Sequence, residues 1–379
     1  AVSRGIAVAR VICIFCVMFV HTWPSNHAID LTGIVSPAFQ LVLTLAVDVL
    51  GRSSVPLLSI VSGYLLAGSV KTHAGQPNWG RLIGHRVRTL LVPLLLWNAA
   101  MVTLLIAGRS LDPTPWQIPR DAETWANALL ALQQPSTNVP VAFLRDLFVC
   151  IIFSPLLLAL VRRGRLLTLL LLAGLAANVA LDLTGVLLIR PMILLFFGCG
   201  LALRVHGIDV GHAIVRPWAI AVAVALTVAT VWGEAALAAL APVAAVDAAT
   251  MIIRRFAVAY LFWCAALALA DTRFGPRLRE IEPFIFLVFC SHAIIFALLS
   301  PIGRALVGGI GNPLYPLYFF AQPVLALGIG IVGATVLART VPMLAAWLNA
   351  GRLPPRQLPW QQALVAHPPH HDRDDRRAA

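Results

Sequence analysis

Of 379 residues, 60% are hydrophobic and only 12% charged, and 28 Lys and Arg outnumber 16 Asp and Glu for a net charge of +12. With a mean hydropathy of +0.87, a soluble domain of this length could not cover its apolar surface, whereas a bilayer core of about 30 Å asks for roughly twenty apolar residues per helix. The sequence reads as all-α: a polytopic transmembrane helical bundle of about ten spans. Its basic residues are dispersed over short loops rather than gathered on one soluble domain, so nucleic acid is not an expected partner.

The first span, 5–24, carries Arg10 and His21 inside the run AVARVICIFCVMFVHTW. Eleven helical steps of about 100° return to within about 20° of the same face, about 16 Å along the axis. An ionisable residue facing hydrocarbon is costly, and those found in spans usually face a polar interior and carry function. The bland alternative is an interfacial His and an Arg paired for packing. The run has an internal Arg and no small-residue cleavage site, so it is not read as a cleavable signal.

Residues 38–69 are apolar for longer than one crossing needs and are interrupted at Asp48, Gly51, Arg52 and Pro56. A broken or re-entrant second helix is expected, with its span at 53–69, because irregular backbone at depth is tolerated only beside protein or a wet cavity. The third span, 88–108, follows HRVRTLLVP, where Arg86 and Arg88 are either positive-inside flanks or a phosphate-binding fork. The Pro-rich segment 109–141 reads as an extracytoplasmic loop with short helices. FLRDLF opens the fourth span, 142–161; Arg145 and Asp146 there either anchor the helix or serve the site.

Further spans are expected at 166–185, 187–203, 215–233, 250–270, 284–303 and 316–338, with 236–253 as an interfacial or half-inserted helix. His292, in FCSHAII, suits either packing against a backbone partner or catalysis. Cys13, Cys16, Cys150, Cys199, Cys264 and Cys290 all fall in apolar runs and read as small buried hydrophobes, without disulfides or a metal site. Placing both termini in the cytoplasm puts Lys71, Arg81, Arg86 and Arg88, then Arg162, Arg163 and Arg165, then Arg204 and Arg216, then Arg273, Arg277 and Arg279, and finally Arg339, on the positive side. The opposite loops hold chiefly Arg109, Arg120 and Arg304. Residues 1–349 form one membrane domain, and 350–379, rich in Pro, Arg, His and Asp and including His367, His370 and His371, read as a mobile cytoplasmic tail.

Four of these elements, in order, resemble the acyltransferase-3 family of bacterial integral-membrane O-acyltransferases. The first is Arg10, ten residues, His21. GRSSVPLLSIVSGYLLAGS is similar to the family's second helix through Arg52, Pro56, Ser62, Gly63 and Tyr64. HRVRTLLVPLLLW matches its basic third-helix start at Arg86, with Arg88 closer than the usual spacing. NVPVAFLRDLFVCIIFSPLL resembles its fourth element through Phe143 to Leu147, departing at Ala142, where a Trp is common, and FIFLVFCSHAII looks like its late His-containing helix.

The resemblance implies a bacterial inner-membrane enzyme that moves an acyl group, acetyl in the usual case, from a cytoplasmic acyl-CoA donor to hydroxyls of an extracytoplasmic polysaccharide. On that reading His21 and Arg10 are the catalytic residues: His21 is the general base, and Arg10, deeper in the bundle, holds its environment polar, stabilises a developing oxyanion or meets the thioester. Arg86 and Arg88 bind CoA phosphates, and Asp48, Arg52, Arg145, Asp146 and His292 line the substrate passage. Expected partners are membrane lipid, acyl-CoA, the polysaccharide, and a synthase complex or separate periplasmic transferase. An exported glucan such as cellulose is an expected acceptor. The competing readings are a glycan or lipid-linked sugar transporter or flippase, and a non-catalytic scaffold of a synthase.

Overall fold

The computed structural model describes residues 1–22, 33–70, 72–73, 76–108, 118–132, 136–181, 190–240 and 244–352. Its helices are α1 (Val2–His21), α2 (Pro37–Ser69), α3 (Trp79–Gly108), α4 (Ala122–Leu130), α5 (Val139–Arg162), α6 (Arg165–Leu181), α7 (Pro191–Val205), α8 (Pro217–Leu240), α9 (Ala244–Ala270), α10 (Gly275–Val307), α11 (Tyr315–Thr340) and α12 (Pro342–Leu348). Among the described residues the only strand pairing is the two-residue contact of Thr72–His73 with Gln76–Pro77. Helices dominate because hydrocarbon offers no partner to backbone N–H and C=O groups, which must be satisfied within each span.

Among the described residues seven helices, α1, α2, α3, α5, α9, α10 and α11, are long and apolar enough to cross a bilayer, and α6, α7 and the 217–233 part of α8 are shorter apolar helices. The chain is a multi-pass membrane protein. Polar signals set several ends: the Ser36 hydroxyl accepts from the Phe39 N–H at 3.3 Å ahead of α2, and Asp121 forms a capping box with Thr124 on α4. An ion pair between Arg4 and Asp271, 3.1 Å, brings the start of α1 to the turn between α9 and α10.

Three expectations take a different form in the structure. The break expected in 38–69 is a π-helical stretch, Thr44–Gly51, inside one continuous helix. A second π-helical stretch, Val87–Leu91, sits in α3. Each lies just ahead of a proline, Pro56 or Pro93, whose missing N–H and ring clash with the carbonyl four residues earlier and favour a locally widened turn. The interfacial helix expected at 236–253 is absent among the described residues: 236–240 ends α8, and 244–253 begins α9. The bundle also runs past 349, since Ala350 packs on the core and Arg352 lies over the Phe286 ring. The remaining tail, with His367, His370 and His371, and loop residues 109–117 with Arg109, fall outside the described residues.

α2 and α7 pack backbone against backbone. A Cβ on Gly63 would run into the Phe197 carbonyl, and one on Gly200 into the Ile60 carbonyl. Small residues thus let two backbones touch, the usual way of gaining packing energy where lipid removes the hydrophobic drive between helices. Arg52, near the middle of α2, and Arg190, at the start of α7, line one cavity. The six cysteines are unpaired, and four of them are buried.

Candidate active site

α1 and α10 run parallel and meet at two levels. At the first, the Arg10 guanidinium donates to the Glu282 carboxylate at 2.7 Å. At the second, the His21 and His292 rings lie with centroids 5.3 Å apart. Glu282 and His292 are ten residues apart on α10, about 15 Å of helix, which matches the rise from Arg10 to His21 on α1.

The first level opens on a cavity of about 110 Å³ lined by Arg10, Ser62, Phe143, Glu282, Phe289 and Arg352, among others. The Arg352 guanidinium stacks 3.7 Å from the Phe286 ring centre. Desolvation, and then the neighbouring Arg10 charge, pull its pKa down to about 10, so it stays charged at neutral pH. Arg86, half-buried, lies within electrostatic reach of Arg10, and its Nε is buried with no hydrogen-bond partner among the described residues. Arg10, Arg86 and Arg352 therefore lie within electrostatic reach of one another, with Glu282 paired to Arg10; Arg10 and Arg352 line the cavity and Arg86 does not. Arg88, by contrast, is exposed on the other side of the π turn.

The second level opens on a larger cavity, about 330 Å³, lined by His21, Arg52, Ser59, Phe143, Arg190, Arg255 and Phe289 among others. His292 sits behind His21, with no exposed surface, between the rings of Phe289 and Phe296. Its Nδ1 is 2.7 Å from the Phe289 carbonyl oxygen. A carbonyl only accepts, so Nδ1 carries the proton and Nε2 keeps a lone pair. That Nε2 is buried and has no hydrogen-bond partner among the described residues. Gly51 lets the π stretch of α2 close on the end of α1: a Cβ there would meet Val20 Cγ2 at 2.5 Å and the Cys16 carbonyl at 3.1 Å.

Phe143 and Phe289 line both cavities. Their rings meet edge to face with centroids 6.1 Å apart and form an aromatic wall between the two levels. The single passage expected to carry both Arg10 and His21 is therefore two compartments; α7 supplies a wall that the sequence did not assign, and α10 contributes through Glu282 and Phe289 rather than through the expected His292.

Other anticipated residues fall as follows. Arg52 lines the His21 cavity and pairs with Asp48 at 3.3 Å, one helical turn away. Asp48 and His292, expected on the passage, line neither cavity, and neither do Arg145 and Asp146. The last two are buried in an anchor: Arg145 bonds Asp146 and the carbonyl of Ala131, the left-handed residue that ends α4, and Asp146 also holds Arg190 at 3.2 Å. Adjacent opposite charges could satisfy each other locally, so burial became affordable. Sequence reasoning missed Glu282, Arg352, Arg190 and Arg255. The ten-residue spacing from Glu282 to His292 was the one local signal, since it nearly repeats that of Arg10 and His21.

Comparison with known proteins adds two findings. The profile of the family described as Acyltransferase domain matches residues 3–339. The Succinoglycan biosynthesis protein ExoH of Rhizobium meliloti (strain 1021) is 27% identical over 370 residues, covering 93% of each chain. No solved structure matches the chain.

Proposed function

The chain belongs to the acyltransferase-3 family and is a multi-pass membrane acyltransferase; from that premise we propose that it transfers an acyl group from a cytoplasmic acyl-CoA to a hydroxyl of an exported polysaccharide. The observation that carries this reading is the stacked pair of cavities sharing the Phe143–Phe289 wall, one lined by Arg10, Arg352 and Glu282 and the other by His21 with Arg52, Arg190 and Arg255. Two compartments, of which only the second is lined by a histidine, suit two substrates that arrive from opposite faces.

Arg10, Arg86 and Arg352 hold the donor's phosphates, because guanidinium groups match phosphate oxygens in fork geometry, and Glu282 keeps Arg10 extended toward them. The acylated arm passes the aromatic wall and presents its thioester to His21. His21 takes the proton of the acceptor hydroxyl, whose oxygen attacks the thioester carbonyl. The C–S bond breaks, and the thiolate leaves with the proton returned by His21. His292, its tautomer set by the Phe289 carbonyl, holds the His21 ring in place. Acyl transfer by way of His21 itself uses the same geometry.

The inner bacterial membrane, with both termini in the cytoplasm, is the setting in which the Arg10 level faces the acyl-CoA pool. The relative is named for succinoglycan biosynthesis, which supports a polysaccharide acceptor; cellulose-type glucans belong on the same panel of acceptors. Membership of an acyltransferase family favours the enzyme over the transporter and scaffold readings. The test is mass analysis of surface and exported glycans from cells with and without the gene: an ester present only with the gene supports transfer, and identical glycans contradict it.

A further inference from the structure

The His21 cavity carries more positive charge than its own acids balance. Arg52, Arg190 and Arg255 all line it, and no Asp or Glu does among the described residues. Behind the lining, Asp48 pairs with Arg52, and Asp146 is shared between Arg190 and the buried Arg145. Four guanidinium groups thus face two carboxylates. Arg255 makes no hydrogen bond or ion pair within 4 Å among the described residues; Arg52, Arg190 and Arg254 lie within its electrostatic reach, with Asp48 the acid nearest to compensating it. An uncompensated guanidinium inside a membrane bundle is costly, and those found there usually face a polar interior and carry function. Transferring an uncharged acyl group to an uncharged sugar needs no such excess, because the oxyanion of the transition state is a single, transient charge.

We propose that this cavity binds a carboxylate carried by one of the substrates in addition to the ester being made, with Arg255 as its principal partner. The carboxylate belongs either to the far end of a dicarboxylic acyl group or to an acidic sugar of the acceptor. Both present the same two oxygens to a guanidinium fork, and a volume of about 330 Å³ admits either a short acyl chain or one sugar ring. The inference rests on the reading that transfer takes place beside His21.

The test is calorimetric titration of the purified full chain in detergent with monomethyl succinate, an ester bearing one free carboxylate, and with dimethyl succinate, its neutral counterpart. The monoester should bind, and the diester about tenfold or more weakly; Arg255→Gln should lose about tenfold in monoester affinity, while Arg255→Lys retains most of it. Equal binding of the two esters, or wild-type monoester affinity in Arg255→Gln, overturns the proposal. Mild base treatment of the esterified glycan then separates the sources. A released acid with two carboxyls assigns the charge to the acyl group, and a residual glycan with carboxyls assigns it to the acceptor. An esterified glycan with neither also overturns the proposal, while leaving the transferase reading standing. A glycan with no ester overturns the transferase reading, and the titration alone then decides the carboxylate site.

Discussion

His21, at the end of the first helix, and His292, midway along the tenth, hold their rings 5.3 Å apart across the interface of two parallel helices. Arg10 and Glu282 fix the register of that interface one level away, at 2.7 Å. His21→Ala should therefore abolish glycan acylation, by about a hundredfold or more, while the protein still inserts and folds, because loss of a general base typically costs that much. Acylation above about a tenth of wild type, measured on glycan from the variant strain, would contradict the role.

On the proposed reading His292 acts through His21. Replacing it with Phe keeps a ring between Phe289 and Phe296 and removes the polar nitrogen, so His292→Phe should lower kcat about tenfold with KM for the acyl-CoA unchanged. A packing role alone would instead lower the yield of folded protein and leave kcat per folded molecule at the wild-type value.

On the donor side, Arg10→Ala and Arg352→Ala should each raise KM for acyl-CoA about tenfold and leave kcat nearly unaltered, with the wild-type KM rising as salt is added. Arg88→Ala should change neither constant, because that side chain is exposed on the outer side of the π turn. Steady-state kinetics on the four proteins check this.

On the proposed reading the aromatic wall separates donor from water as well as from acceptor. Phe143→Leu and Phe289→Leu keep apolar volume but open the edge-to-face contact, so acyl-CoA hydrolysis should rise relative to ester formation. The ratio of free acid to glycan ester reads the change. An unaltered ratio in both variants would make the two rings ordinary packing.

Gly63→Val should prevent accumulation of folded protein, because its side chain would collide with the Phe197 carbonyl on α7, whereas Gly174→Ala on α6 has open space and should behave as wild type. Size-exclusion profiles in detergent distinguish the two.

Much of the fold was legible because a span must be apolar for about twenty residues, a constraint that composition reveals directly. The ion pairs Asp48–Arg52 and Arg145–Asp146 were legible for a similar reason, since both are local. The backbone partner of His292 was likewise one of the two readings its apolar neighbours allowed. What spacing along one helix could not give was pairing between helices. Glu282 fell just outside its expected span, Arg352 lay where composition reads as tail, and Arg190 and Arg255 meet His21 only through packing of α7 and α9 on α2. The division of one expected passage into two cavities depends on Phe143 and Phe289, two apolar side chains that no charge pattern marks.

The most direct test of transfer across the wall uses sealed proteoliposomes with base-deacylated exopolysaccharide trapped inside and radiolabelled acetyl-CoA or succinyl-CoA, in separate runs, added outside. Wild-type protein oriented with the Arg10 level outward should place label on the trapped glycan, and His21→Ala should place none. Label that reaches glycan only when donor and acceptor share one side of the membrane would contradict the account.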